Sequence, residues 1–209
     1  MKKVIFIGAG GHAKSVFDSI DSSVFKLVGF LDDKKTGTFL GLPIFGRAIS
    51  SLNDFKSFCY FVTIGDVKSR MAWYETLDNE GLEIINVIDS TANISKTAKM
   101  GKGNFIGKEA IINADVVIGN DNIINTRALI EHESTIADHC HISTNSVLNG
   151  NTTVADLVFF GSCAVSIGQL RIGMSSVVGA GSVVTKDVEP FTTVVGVPAK
   201  VIKRRSPDA

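Results

Sequence analysis

The sequence predicts an α/β, Rossmann-like half domain followed by a parallel β-helix of hexapeptide repeats. The first observation is a six-residue period that runs from Ile94 to Val184. The second is an alternation of strand-like and helix-like segments before that repeat, and the third is a glycine-rich turn after the first apolar segment. Together they place the first domain at residues 1–90 and the second at 91–209.

Large apolar residues mark one position of the repeat, and small or slim residues follow four positions later. Neither an α-helix of period 3.6 nor a strand of period 2 produces a period of six. Three hexads form one triangular coil of a parallel β-helix, with one large and one small residue pointing inward on each side. The polar Ser166 occupies the large position between Phe160 and Ile172. The other large positions are held by Ile94, Met100, Ile106, Ile112, Ile118, Ile124, Ile130, Ile136, Ile142, Leu148, Val154, Phe160, Ile172, Val178 and Val184. They predict about five coils.

The first 90 residues alternate between two periodicities. Apolar segments at residues 4–7, 26–31, 59–64 and 82–88 predict strands, and helical spacing predicts helices at residues 14–20 and 67–79. Strands that alternate with helices indicate a small parallel sheet with helices on its faces.

The turn after the first predicted strand has the spacing Gly8-x-Gly10-x-x-Ala13, and Asp32 follows about 20 residues later, as in the dinucleotide fingerprint. Glycines let the backbone approach a phosphate, and the helix start supplies N–H groups. About 90 residues build only half of a dinucleotide fold, which favours a nucleotide or nucleotide-sugar pocket over an NAD site. Asp32 and Asp33 would accept hydrogen bonds from ribose or base. The remaining alternative is a tight turn that binds nothing.

Composition excludes several classes of partner. Lys plus Arg and Asp plus Glu both number 21, so the zero net charge does not indicate a nucleic-acid or membrane-surface binder. The first apolar run is too short for a signal peptide, and no stretch reaches the length of a membrane span.

Cys59, Cys140 and Cys163 lack C-x-x-C spacing, which predicts reduced thiols and a cytoplasmic protein. Cys140 and Cys163 are interpreted as small residues inside the β-helix.

Three of the four histidines lie between residues 132 and 141. His132 is the third residue of its hexad, at a turn where its side chain projects outward, and Glu131 and Glu133 flank it. A carboxylate beside an imidazole orients the ring and raises its basicity, which is the composition of a general base. The alternative is an exposed turn histidine without a role.

His141 lies nine residues from His132, half of an 18-residue coil, so the two side chains belong to different sides of the prism. They would meet if prisms pack side by side, most simply with threefold symmetry, which predicts an intersubunit active site. The set His132, His139 and His141 also suggests a zinc site of the γ-carbonic anhydrase kind. A nucleotide pocket has no purpose in such an enzyme, and we therefore predict no metal.

The chain resembles the PglD and NeuD group of sugar acyltransferases, which carry a nucleotide-sugar domain in front of a left-handed β-helix. The resemblance spans essentially the whole chain. Its motifs, in the order of the family, are Gly-Ala-Gly-Gly-His, Leu-Asp-Asp, Glu-His-Glu, His-Ile-Ser and Gly-Val-Pro-Ala-Lys. The phrases Ile-Asn-Thr-Arg-Ala-Leu-Ile-Glu-His, Ile-Ser-Thr-Asn-Ser-Val-Leu-Asn-Gly and Gly-Ser-Cys-Ala-Val are similar to the NeuD-type sialic acid O-acetyltransferases. The left-handed coil sense is implied by this resemblance alone.

The resemblance also implies roles for individual residues. His132 would be the base, Glu133 would polarise it, and Asn125 would line the same pocket. His141 of a neighbouring subunit would contact the thioester region of acetyl-CoA. Backbone groups at Gly150, Ser162 and Ala180 would face the pantetheine arm, although Ser162 and Ala180 depart from the family pattern. The residues implied to hold the nucleotide are Gly10, Gly11, His12, Asp32, Asp33 and Gly65.

The implied reaction is direct transfer of acetyl from acetyl-CoA to a hydroxyl of sialic acid or CMP-sialic acid. No serine or cysteine is placed beside a base as an acyl carrier, so no acyl-enzyme is expected. Arg127 would suit the carboxylate of sialic acid, or it is a solvated turn residue. One alternative is N-acetylation of a UDP-linked 4-amino sugar. Another is a non-catalytic, nucleotide-sugar-binding partner of a biosynthetic enzyme. The expected assembly is a homotrimer.

Overall fold

The computed structural model describes residues 1–206, and the chain divides into a first unit, Met1–Ser90, and a second unit that begins at Thr91. The first unit contains β1 (Lys2–Ile7), α1 (Gly11–Ser19), β2 (Phe25–Leu31), β3 (Thr38–Phe39), β4 (Leu42–Gly46), the 3₁₀ turns Ile49–Ser51 and Phe55–Ser57, β5 (Cys59–Val62), α2 (Val67–Asn79), β6 (Glu83–Ile84) and β7 (Val87–Ile88).

A six-stranded sheet of order β3-β4-β2-β1-β5-β6 organises the first unit, and all its pairs are parallel except β3 with β4. The predicted parallel sheet is therefore confirmed, as are the bounds of α2. The helix predicted to begin at Lys14 begins at Gly11, because Gly10 is the last extended residue. The predicted strand at residues 82–88 is broken into β6 and β7.

The hairpin formed by β3 and β4 was not predicted. Leu40 and Gly41 join the two strands with φ values of 50° and 76°, a pair of left-handed residues that suits a tight hairpin turn. Strand β3 is only two residues long, which is too short to show a period of two.

Sixteen two-residue strands at intervals of six residues make up most of the second unit. They are β8 (Asn93–Ile94), β9 (Lys99–Met100), β10 (Phe105–Ile106), β11 (Ile111–Ile112), β12 (Val117–Ile118), β13 (Ile123–Ile124), β14 (Leu129–Ile130), β15 (Thr135–Ile136), β16 (His141–Ile142), β17 (Val147–Leu148), β18 (Thr153–Val154), β19 (Phe159–Phe160), β20 (Val165–Ser166), β21 (Arg171–Ile172), β22 (Val177–Val178) and β23 (Val183–Val184). Strands β24 (Thr192–Val195) and β25 (Lys200–Arg204) follow.

These strands stack into three parallel sheets that form the faces of a left-handed β-helix, as predicted. The first face contains β8, β11, β14, β17, β20 and β23, and the second contains β9, β12, β15, β18 and β21. The third contains β10, β13, β16, β19 and β22, followed by β24 and the antiparallel β25. The first, second and third corners are the turns that follow strands of the first, second and third face.

The hexad explains both the core and the corners. The second residue of each strand points inward and forms one continuous core with the small residue four positions later, as Ile130 and Ser134 do. From Glu109 to Ser175, every corner has a left-handed residue three positions after the large one, with φ between 53° and 63°. The interpretation of Cys163 as core filling was wrong, because Cys163 occupies such a corner and is exposed, whereas Ala164 is buried.

Helices α1 and α2 contain nine and thirteen residues. Among residues 1–206, no helix has the length and hydropathy needed to cross a bilayer.

Candidate active site

The turn after β1 forms one wall of a cavity in the first unit. Gly8 has φ +105°, and a Cβ atom there would lie 2.8 Å from Cγ1 of Ile64, so a glycine is required. A Cβ atom at Gly10 or Gly11 would instead meet open space, which leaves the backbone at the start of α1 accessible to a ligand. The cavity has a volume of about 270 Å³ and is lined by Ile7, Gly8, Leu31, Asp32, Asp33, Lys34, Ile64, Asp66, Ser69 and Trp73.

Asp32 holds the glycine turn against the loop after β2. Its Oδ2 accepts a hydrogen bond from the N–H of Ala9 at 2.7 Å, and its Oδ1 accepts bonds from the N–H groups of Lys34 and Lys35 at 2.9 and 2.8 Å. Burial raises the pKa of Asp32, but these three bonds outweigh burial and leave the pKa below its ordinary value. The carboxylate thus binds the backbone of the turn, and Asp33 is the neighbouring carboxylate that lines the cavity.

Two basic residues that the sequence did not single out also shape this site. The ammonium group of Lys35 donates to the carbonyl of Ala9 at 2.5 Å. Arg70 is 1% exposed, and its guanidinium donates to the carbonyl of Gly65 at 3.2 Å. Both look like ordinary surface cations in a single sequence, because no local pattern distinguishes a buried helical arginine from a solvated one.

Gly65 and His12, the remaining residues predicted to hold the nucleotide, come after the carboxyl ends of β5 and β1. Gly65 follows β5, and a Cβ atom there would meet open space. His12 is the second residue of α1 and is partly buried. Asp66 caps the N-terminus of α2 by accepting hydrogen bonds from the N–H and the hydroxyl of Ser69 at 2.9 and 2.7 Å.

Replacement of Asp32 by alanine is expected to lower the free energy of unfolding by about 2 kcal/mol, because three backbone N–H groups lose a charged acceptor. Asp33→Ala is the matched control, with an expected change below about 0.5 kcal/mol. Urea unfolding can be followed through Trp73, the single tryptophan. Equal stability of the two variants would show that Asp32 does not act through the turn.

The first corner holds the candidate base. Nδ1 of His132 lies 3.1 Å from Oε2 of Glu133, and both side chains are more than half exposed. Glu133 has a left-handed backbone with φ 58°. Gly150 stands one coil further along the same corner, and a Cβ atom there would lie 2.7 Å from Nε2 of His132.

The third face and the third corner hold the predicted acyl-donor residues. Nδ2 of Asn125 lies 3.4 Å from Nε2 of His141, and the ring of His141 packs edge-on against Phe159 with centroids 5.1 Å apart. The hydroxyl of Ser162 is 2.9 Å from that of Ser143. Ala180 stands one coil beyond Ser162 in the same corner, and it is exposed.

Within one chain the structure therefore separates the predicted residues into two groups. His132, Glu133 and Gly150 occupy the first corner. Asn125, which was predicted to share a pocket with His132, lies at the third corner beside His141. Gly150 was grouped with Ser162 and Ala180, and within one chain it lies beside His132 at the first corner, apart from these two residues.

His139 and Arg127 have protein partners. His139 occupies the second corner, where its Nδ1 lies 2.9 Å from Oδ2 of the buried Asp121. The guanidinium of Arg127, at the third corner, donates to Glu109 at 2.5 Å in an exposed ion pair. Among the described residues, no group of three or more His, Cys, Asp or Glu side chains could hold a metal ion.

Comparison with known proteins defines the family of this chain. The family model of the PglD N-terminal domain matches residues 3–77. A variant of perosamine N-acetyltransferase from Caulobacter crescentus, crystallised with CoA and GDP-perosamine, is 32% identical with a TM-score of 0.93, over 97% of this chain and 98% of that chain. The chain belongs to the PglD family of sugar acetyltransferases.

Other relatives extend this comparison. The acetyltransferase domain of PglB from Neisseria gonorrhoeae, in complex with acetyl-CoA, is 30% identical with a TM-score of 0.91, over 96% of this chain and 99% of that chain. An uncharacterised protein of Acanthamoeba polyphaga mimivirus is 40% identical over 113 residues, which are 54% of this chain and 22% of that protein. The curated relatives are matched over less than a quarter of their own length. The expected co-substrate, acetyl-CoA, agrees with the CoA and acetyl-CoA held by these PglD-family structures.

Proposed function

We propose that this protein transfers the acetyl group of acetyl-CoA to the amino group of a nucleotide-linked amino sugar. The observation that carries the proposal is the similarity of the whole chain to a perosamine N-acetyltransferase crystallised with both CoA and GDP-perosamine. Such a reaction needs a site for a nucleotide and a site for CoA. The first unit has the cavity beside the glycine turn, which is the candidate nucleotide site. The second unit has Asn125 and His141, which belong to the candidate CoA site.

In the proposed reaction the sugar nitrogen attacks the carbonyl carbon of the thioester, so that a C–N bond forms and the C–S bond breaks. Nδ1 of His132 donates to Glu133, which leaves the lone pair of Nε2 to accept the proton of the attacking amine. The sulfur leaves as the thiolate of CoA and takes up a proton. No hydrogen bond in the described part of the chain joins His132 to a serine or cysteine, which supports direct transfer without an acyl-enzyme.

The acyl donor is assigned to the third face and the third corner. His141 is held by Phe159 and Asn125, so its ring presents a fixed edge to a thioester. Beyond it, Ser162 and Ala180 leave room for the pantetheine arm, because small side chains keep that corner narrow. In this proposal Asn125 and His141 position the donor, and His132 comes from another copy of the chain.

A homotrimer would bring these two groups together. The first face lies between the third corner and the first corner, and its outward row is aliphatic after Asn93: Ile111, Leu129, Val147, Val165 and Val183. The outward row of the second face contains instead Lys99, Val117, Thr135, Thr153 and Arg171. If the first face is turned toward a threefold axis, the first corner of each prism approaches the third corner of the next. Burial of the aliphatic row then stabilises the assembly.

The nucleotide is assigned to the cavity of the first unit. Gly10, Gly11 and Gly65 give open backbone for phosphate and sugar oxygens, and Asp33 supplies a carboxylate for a hydroxyl or a base. Asp32 acts through the turn that it holds. Free acetyl-CoA and nucleotide sugars are the proposed partners, without nucleic acid, membrane or metal, and the cytoplasm is the proposed compartment.

A hydroxyl of sialic acid or CMP-sialic acid is the second candidate acceptor. It is favoured by the three sequence phrases that resemble the NeuD-type enzymes and by Arg127, which suits a carboxylate. Glu109 already pairs with this guanidinium, so a carboxylate ligand would have to compete with Glu109. The relatives of known structure favour the amine instead, since the perosamine enzyme is an N-acetyltransferase. A non-catalytic binding role would leave the pair His132 and Glu133 without a purpose.

The test is release of the CoA thiol with GDP-perosamine, a UDP-linked 4-amino sugar, CMP-sialic acid and free sialic acid as parallel acceptors. Turnover is expected with an amino sugar. Turnover confined to either form of sialic acid would replace the proposal with O-acetylation. Binding of the nucleotide sugar, seen as a change in Trp73 fluorescence, without turnover on any acceptor would support the non-catalytic alternative.

A further inference from the structure

The position of Gly150 sets the geometry of the candidate base. Residues 132 and 150 are 18 positions apart, one full coil of the β-helix, and the N–H of Asn151 donates to the carbonyl of His132 at 2.9 Å. A Cβ atom at Gly150 would lie 2.7 Å from Nε2 and 2.8 Å from Cε1 of the imidazole. Distances below 3.0 Å do not occur for real Cβ atoms, so the ring occupies the space where a side chain at residue 150 would begin.

The backbone above this ring is also close-packed. A Cβ atom at Gly168, one coil further along the same corner, would lie 2.7 Å from the carbonyl oxygen of Gly150. The N–H of Gln169 donates to that same carbonyl at 2.9 Å, which fixes the backbone of Gly150. His132, Gly150 and Gly168 thus succeed one another along the first corner. The imidazole lies against Gly150, and Gly168 packs against the backbone of Gly150 in turn.

Gly150 was predicted to contact the pantetheine arm through its backbone. The geometry points to a role within the corner itself: we propose that Gly150 is a positioning residue, whose missing side chain leaves room for the imidazole of His132, so that Nδ1 faces Glu133 and Nε2 stays open to the acceptor. The proposal rests on the proposed function of His132 as the base. Packing against Gly150 is what orients the exposed imidazole of His132. The contact with Glu133 alone would hold it weakly, because it joins two side chains that are 61% and 64% exposed.

Gly150→Ala is expected to lower kcat by about 10²-fold or more, because the methyl group displaces Nε2 from its working position. KM for acetyl-CoA and for the nucleotide sugar should change little. In a His132→Asn background, Gly150→Ala should cause no further loss, because both changes act through the same ring. A rise in KM for acetyl-CoA with unchanged kcat would overturn the proposal in favour of a pantetheine contact.

Two further measurements separate positioning from misfolding and from a wrong function. Gly119→Ala is the matched control, because a Cβ atom there would crowd Asp138 at the second corner, away from His132. It should lower stability without changing kcat. The four histidines also give a simple NMR spectrum. In Gly150→Ala the Cε1–H signal of His132, assigned from His132→Asn, should move while those of His12, His139 and His141 stay. An unmoved His132 signal would contradict the positioning role of Gly150, whether or not the protein proves to be an acetyltransferase.

Discussion

Replacement of His132 by glutamine is expected to reduce kcat by about 10²- to 10⁴-fold, the usual contribution of a positioned general base. Glutamine keeps a polar side chain of similar length but cannot accept and release the proton of the acceptor. Binding of the nucleotide sugar, followed through Trp73 in the first unit, should be unchanged, because the cavity contains no residue of the first corner. Steady-state thiol release and a fluorescence titration measure the two quantities.

His139→Gln is the matched control for this variant. His139 has the same chemistry at the second corner, but it is paired with Asp121 and lies outside the proposed site. Its replacement should leave kcat near the wild-type value. If His132→Gln retained full turnover, or if both variants lost it equally, the first corner would not contain the base.

Replacement of Val147 by aspartate is expected to dissociate the proposed homotrimer and to abolish turnover. Val147 lies between Leu129 and Val165 in the aliphatic row of the first face, so a carboxylate there would be buried without a partner in the assembly. Light scattering after size exclusion should show a monomer. Thr135→Asp provides the matched control, because Thr135 holds the equivalent outward position on the second face and is exposed. That variant should remain a trimer with normal activity.

The shared site can be tested in mixed trimers as well. His132→Gln subunits and His141→Ala subunits, each impaired alone, are expected to regain activity when they are co-expressed and purified together. The reason is that some interfaces then combine an intact His132 with an intact His141. A Val147→Asp monomer with full turnover, or mixed trimers no more active than their parents, would place the whole site within a single chain.

The β-helix was predictable because a period of six fits neither an α-helix nor a flat strand, while its left-handed sense came from the family resemblance. Each large residue from Ile94 to Val184 stands at the inward position of a two-residue strand, and even Ser166 is fully buried. The hairpin β3–β4 and the early start of α1 were not predictable, since each depends on the conformation of a few residues. The interpretation of Cys163 was wrong for a similar reason: its position in the hexad, and not its small size, decides whether a residue faces the core.

The sequence partly predicted which residues make up the candidate site, but it did not predict which of them lie close together. Glu133 beside His132 is a contact between neighbours in sequence, and the structure shows it. The contact of His132 with Gly150 and that of Asn125 with His141 join residues 18 and 16 positions apart, and only the coil geometry reveals them. Asp32 was assigned to a ligand, and the structure adds that its carboxylate accepts a hydrogen bond from the backbone of its own unit. A sequence does not show whether a carboxylate at the end of a strand is already occupied.

The bond formed in the product tests the central claim most directly. The protein would be incubated with acetyl-CoA and GDP-perosamine, and in parallel with CMP-sialic acid, and each product would be examined by mass spectrometry before and after mild alkali. The proposed N-acetylation predicts that the amino sugar gains one acetyl group, that alkali does not remove it, and that His132→Gln does not form it. An acetyl group that appears only on the sialic acid and is lost in alkali would show an ester, and would contradict transfer to an amine.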